Sequence, residues 1–249
     1  MISAQGNQRA TDSARAAAFD RLDRNSRTLL ATVNCARRSA RARSSGLLGP
    51  IDSLGTRGQC LWIANKPFGV FFTPDSTFTI ARRFRVVDLE KQAVYSAPVD
   101  TAAILAEARA MSDGVRKAYQ SFQKAQRSFA PLSFRSDGDS IEVWLIPLGS
   151  IMGGTATTVG GERGYIYSPN GRKLVREIDA FDRYRTIAVA DSGQAQIISR
   201  EDDLPLFSEL IVANLLHGDG REVQITTAAY ASRLTGREPN SVWMQVHKR

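Results

Sequence analysis

The chain has 249 residues, 43% of them hydrophobic and 23% charged, which is enough to bury a substantial core and lies between one large domain and two small ones. No apolar run approaches the roughly 18 residues that a membrane-spanning helix needs. The opening Met1-Ile2-Ser3-Ala4-Gln5-Gly6 has neither the basic start nor the apolar stretch of a secretory signal, so the chain is expected to be cytoplasmic or else a mature exported form. The formal net charge of +8 sits mostly in residues 1–46, where nine Arg face three Asp for a net of +6. A basic N-terminal helix and loop (1–46) and an antiparallel α+β body (47–249) are the expected parts.

Asp12 or Ser13 can cap a helix whose Phe19, Leu22, Leu29, Leu30 and Val33 share one stripe, while Arg15, Asp20, Arg24 and Arg27 point elsewhere. Residues 37–58, rich in Arg, Ser and Gly, read as an irregular connection. Their Arg37, Arg38, Arg41 and Arg43 are candidate contacts for phosphates or an anionic surface, although no aromatic residues are interleaved for base stacking. Cys35 and Cys60 bracket this stretch: a bridge in an oxidising compartment, buried thiols in the cytoplasm. Strands are expected over 60–64, 69–73 and 78–88, separated by turns at 66–69 and 74–75, to give a first small sheet. Asp100 then caps the longest helix, expected over 101–127, with Ile104, Leu105, Ala108, Met111, Val115, Tyr119 and Phe122 at helical intervals. Gly114 offers a place for a kink, and Pro131 closes the helical region.

Beyond residue 140 the text reads as strands. Residues 140–146 form one, and 164–178 form a hairpin about Asn170-Gly171, a pair suited to the positive φ angles of a two-residue turn. Residues 184–190 and 194–199 are two more, completing an antiparallel meander. The stretch 206–216 fits helical spacing, yet the His217-Gly218-Asp219-Gly220 run that follows favours a hairpin of 209–216 with 221–227. Together with 241–246 it would make a three-stranded terminal meander.

Chemistry is sparse. His217 and His247 are the only histidines and stand in no metal-ligand spacing, and no Gly-x-Ser-x-Gly elbow occurs. The tract 153–161, with Gly153, Gly154, Gly160 and Gly161, has the composition of a phosphate loop. A strand rather than a helix follows it, so it reads as a connection that can serve as a contact loop. Asp179, Asp182 and Asp191, and the run Glu201-Asp202-Asp203, read as solvated charge. No metal, cofactor or catalytic residue is expected.

Several segments resemble a group of uncharacterised proteobacterial proteins that usually carry an export signal. They are Phe19-Asp20-Arg21-Leu22-Asp23, Phe68-Gly69-Val70-Phe71-Phe72, Ala106-Glu107-Ala108-Arg109-Ala110, Val143-Trp144-Leu145-Ile146-Pro147, Gly160-Gly161-Glu162-Arg163-Gly164-Tyr165, Ser168-Pro169-Asn170-Gly171, 205–215 and the strand of Trp243. The family's Pro-Thr-Glu start and following His are replaced here by Pro205-Leu206-Phe207-Ser208-Glu209-Leu210-Ile211. The resemblance implies an α+β fold and a periplasmic or secreted location, with no assigned activity. Abundant sheet surface without catalytic machinery favours a non-catalytic binding protein for a protein partner, in the manner of an inhibitor or immunity factor, since sheet edges accept added strands. The alternatives are a hydrolase whose site is dispersed in sequence, and attachment to nucleic acid or an anionic surface through the four arginines.

Overall fold

A computed structural model of the chain describes residues 2–44, 57–63, 66–95, 97–125, 128–136, 139–152, 154–191, 193–236 and 241–247. Among these residues it is an α+β protein of four helices and several mostly antiparallel sheets. The first helix, α1 (Ile2–Ser44), starts earlier and ends later than its sequence pattern suggests. Residues 37–44 are its last two turns rather than a loop, because Ser39 and Ala42 continue a buried stripe against the first sheet. Of the rest of the expected connection, residues 45–56 lie outside the described residues, and Arg57 and Gly58 already belong to the first strand.

The first sheet has the order β1 (Arg57–Ile63), β2 (Lys66–Pro74), β3 (Ala81–Asp88), β4 (Ala93–Val94), all antiparallel. Alternation divides its residues between two partners. Phe71 and Val87 pack with Cys35 and Ala42 of α1, whereas Phe68, Val70, Phe72 and Val86 pack with Ile104, Leu105 and Ala108 of α2 (Thr101–Ala125). Asp100 caps α2 as expected, its Oδ1 accepting the Ala103 N–H at 2.9 Å. The helix passes Gly114 unbroken; a Cβ there would lie 3.0 Å from Val143 Cγ1 and 3.3 Å from Tyr165 Cδ2, so the glycine permits close packing rather than a kink.

The central sheet has the order β5 (Phe129–Arg135), β6 (Ile141–Pro147), β8 (Arg163–Tyr167), β9 (Leu174–Asp179). Pro131 belongs to β5, not to a helix end. It is tolerated because β5 is an edge strand, where a missing N–H can face away from the ladder. One face of the sheet, with Ile141, Val143, Leu145, Tyr165 and Tyr167, rests on Ala106, Ala110 and Ala118 of α2. The other, with Leu132, Phe134, Trp144 and Ile146, rests on Leu29 and Val33 of α1, the short α3 (Gly149–Met152), and Phe207 and Ile211 of α4 (Phe207–Gly218). The 164–178 hairpin forms, but its loop spans residues 168–173, with the Ser168 N–H bonded to Lys173 O at 2.9 Å. Gly171, at φ +68°, lies directly on the Ala106 carbonyl of α2.

Three expectations fail in the C-terminal half. Residues 207–218 are helix α4, not a hairpin arm. Phe207, Leu210, Ile211, Val212, Ala213 and Leu216 are buried on several sides, between the central sheet and the last sheet, so an apolar run without clear periodicity is a buried helix. β10 (Arg185–Ala188) leaves the expected meander to pair with β7 (Ala156–Val159), which makes part of the glycine-rich tract a strand. β11 (Gln196–Ser199) runs parallel to β12 (Val223–Thr226), and the last sheet is completed by β13 (Tyr230–Thr235) and β14 (Val242–His247). Mid-helix α1 is fastened to this end of the chain: Asp23 accepts from Arg27 Nε at 2.8 Å, Asn214 Nδ2 at 3.1 Å and Trp243 Nε1 at 2.8 Å.

Cys35 and Cys60 are at disulfide distance, with Cα atoms 6.0 Å apart, joining α1 to β1. For a separation of 25 residues, reduction is expected to lower unfolding stability by about 3 kcal/mol, seen as a lower urea midpoint after treatment with a thiol reductant. In Gly171→Ala the new Cβ would stand 2.0 Å from Ala106 O. That variant should lose more than about 2 kcal/mol. Gly193→Ala, also at positive φ but with open space around it, should lose about 1 kcal/mol on the same denaturation measurement.

Candidate functional site: a seam between two strand edges

β1 is the outermost strand of the first sheet and β5 the outermost of the central sheet, so among the described residues each has an edge without a strand partner. Both edges lie in the space between α1 and α2. Two adjoining cavities occupy it. One, about 460 Å³, is lined by 58–60 of β1, 131–133 of β5, Ala36, Ala40 and Arg43 of α1, and Met111 of α2. The other, about 550 Å³, is lined by 59–61 of β1, 133–135 of β5, Thr28 and Ala31 of α1, and Ala103, Ile104 and Glu107 of α2. Side chains alternate along a strand, so three consecutive residues from each strand line one space only when the backbone edge itself forms the wall. Gln59, Cys60 and Ser133 border both cavities.

The walls are held from several directions. The Cys35–Cys60 pair fixes β1 beneath α1. From the same strand, the Gln59 amide reaches α2; with its nitrogen and oxygen assigned so that each meets a complementary partner, it donates to Ile104 O at 3.1 Å and accepts the Ala108 N–H at 3.0 Å. Across the gap, Ser133 Oγ donates to Glu107 Oε1 at 2.6 Å. Glu107 is 9% exposed and Ser133 4%. Burial pushes the Glu107 carboxyl above the ordinary glutamate value, opposed in part by the Ser133 hydrogen bond and by Arg135. Arg135 is held at the margin by Ala103 O, Asp139 O and Pro169 O, and Arg27 by Asp23 and by Ser241 Oγ at 2.8 Å.

Ser133 has a carboxyl group as its partner and no imidazole beside it. His217 lies at the end of α4 rather than in a turn, its ring nitrogens 3.3 Å from Arg221 O and 3.0 Å from Gly236 O. His247 ends β14. Among the described residues no group of three His, Cys, Asp or Glu is placed to hold a metal ion. A second buried acid cluster serves the start of α4. Glu162, raised by burial, accepts from Ser208 Oγ at 2.8 Å, while Glu209 accepts the Leu206 N–H at 2.7 Å and pairs with Arg185 and Arg200.

The residues singled out in the sequence are scattered. Arg37, Arg38 and Arg41 are exposed on α1, Arg37 donating to Ile151 O; Arg43, half-buried, sits at the first cavity. Gly153 lies outside the described residues, and Gly154 is exposed. Gly160 and Gly161 are buried at φ +74° and +81°, where a Cβ would strike Arg183 O or the Tyr184 ring, so they serve packing rather than surface contact. Of the expected acids, Asp179 pairs with Arg163, Asp202 with Arg183 and Arg200, and Asp203 with Arg15. Gln59, Glu107 and Ser133 were not singled out. The one signal was an acid at position 107, three residues after Ile104 and four before Met111 on the apolar side of a helix. No family model, curated protein or solved structure matches the chain.

A carboxyl group raised above 4.5 in the fold is easier to protonate there than in the unfolded chain. Its burial penalty is absent below that pH and grows as pH rises through the folded value. Relative to Glu107→Gln, the native protein should therefore lose stability as pH rises from 4.5, at up to about 1.4 kcal/mol per pH unit within the window. Urea midpoints of the two proteins from pH 4 to 8 test this, because Glu162 is common to both and cancels.

Proposed function

We propose that this is a non-catalytic binding protein that takes an extended segment of a partner protein into the seam between β1 and β5. The observation that carries the reading is that β1 and β5, each with an edge that no described strand pairs, border one space under two helices. A guest strand can satisfy backbone groups on both sides, with its side chains alternating toward α1 and α2. Small residues on the α1 side, Ala31, Ala36 and Ala40, leave room for them. The Cys35–Cys60 pair supports export to an oxidising compartment such as the periplasm, as does the resemblance to exported proteobacterial proteins. No helix among the described residues is long and apolar enough to cross a membrane.

Selection of random peptides displayed on phage tests the proposal. Enriched peptides should bind the native protein and lose at least tenfold in affinity to Ala36→Trp and Ala103→Trp, which fill the two cavities. They should also slow amide hydrogen exchange in 58–61 and 132–135, the mark of main-chain pairing. Binding that leaves those amides unprotected, or no enrichment, overturns the strand reading. Ester or peptide hydrolysis abolished by Ser133→Ala would overturn the non-catalytic one.

A further inference from the structure

The second cavity has a feature that a plain backbone clamp does not require. Glu107 presents two carboxyl oxygens to the α2 side of the seam; Oε1 takes the Ser133 hydroxyl, and among the described residues no hydrogen bond reaches Oε2. Around it the walls are apolar, with Ala31, Leu61, Val70, Ala103, Ile104 and Phe134. At about 550 Å³ the space is larger than one aromatic ring and falls within the range of small-molecule pockets, so a ring enters it with room beside it.

We infer that this cavity is a specificity pocket for the phenol of a tyrosine on the captured segment, with Glu107 Oε2 as its hydrogen-bond partner. The inference rests on the strand reading above and adds which side chain the seam selects. Charge and hydrogen bonding narrow the choice. A lysine or arginine would bring a cation beside Arg135, whose guanidinium is held by carbonyl oxygens rather than by a carboxylate and lines the same cavity. An aspartate or glutamate would meet the Glu107 carboxyl directly. A phenylalanine suits the apolar walls but displaces water from beside Oε2 without offering it a partner, which buried polar groups tolerate poorly. A phenol supplies an apolar ring for the walls and a hydroxyl that donates to a carboxylate or accepts from a carboxylic acid, so it suits Glu107 in either protonation state. Ser133 holds Oε1 and so leaves the other oxygen to face the guest.

Small probes separate this from the strand reading, because they enter the pocket without needing the edges. 4-Ethylphenol, ethylbenzene and tyramine are titrated into the full chain at pH 7, followed by the amide resonances of Glu107 and Ser133. 4-Ethylphenol is expected to bind at least tenfold more tightly than ethylbenzene and more tightly than the cationic tyramine. Glu107→Gln, whose amide oxygen still accepts, should keep most of that preference; Glu107→Leu should reduce it to less than twofold. Should Glu107→Leu fail to fold, the native protein's 4-ethylphenol to ethylbenzene ratio decides alone. Equal affinities overturn the inference. So does selection of seam-binding peptides without tyrosine, and in that case strand capture stands. A tenfold phenol preference without any peptide binding keeps the pocket and removes the strand.

Discussion

Two helices are shared between two sheets, and this sharing is the constraint on which the rest of the architecture hangs. α1 covers one face of the first sheet with Cys35 and Ala42 and one face of the central sheet with Leu29 and Val33. α2 does the same from the other side, with Ile104, Leu105 and Ala108 on the first sheet and Ala106, Ala110 and Ala118 on the second. Each sheet thus buries both faces without pairing with its neighbour. The consequence is a gap where two ladders stop, roofed and floored by helices. Edge strands are normally blunted by charge, bulges or covering elements because they attract other chains. Here the covering helices shield the edges from bulk association while leaving room between them.

That arrangement also explains why the polar groups of the seam are few and tied. Gln59 is drawn onto the α2 backbone, Ser133 onto Glu107, and Arg135 onto three carbonyl oxygens. In a partly desolvated space each untied group is expensive, so what is left open among the described residues, the Glu107 Oε2, the Ser39 hydroxyl and the strand edges, stands out against the rest. The Glu162 and Glu209 cluster shows the contrasting outcome: equally buried acids, each met by hydroxyl, backbone or guanidinium donors, anchoring the first turn of α4.

The α+β class, the first sheet, the hairpin around Asn170 and the capped start of α2 were legible because local chemistry decides them: Asp100 finds its own backbone partner three residues away, and a Gly at φ +68° turns the chain whatever lies nearby. The stretch 207–218 was not, since a helix buried on several sides has no polar face to set its period, and Ile211 and Val212 favour strands by themselves. Residues 37–44 failed for the converse reason. Arginine and serine dominate the text, and only the distant sheet that packs on Cys35 and Ala42 makes it a helix. The seam was hidden more deeply, because no residue of β1 signals that its far edge will meet β5, more than 60 residues later, without pairing to it.

The fastening of α1 bears on when the seam comes into being. Everything that lines it lies within the first 135 residues, yet the helix above it is gripped by Asn214 and Trp243 through Asp23, across separations of 191 and 220 residues. A nascent chain therefore carries all the lining of the cleft long before it has the clasp that sets the helix in place. Assembly of this clasp waits for the final strand, so a C-terminally clipped polypeptide would present loose edges rather than a shaped cleft, and contacts of such long range form late because loop closure precedes them. The cleft takes its shape only once the last of these strands has closed on mid-helix α1.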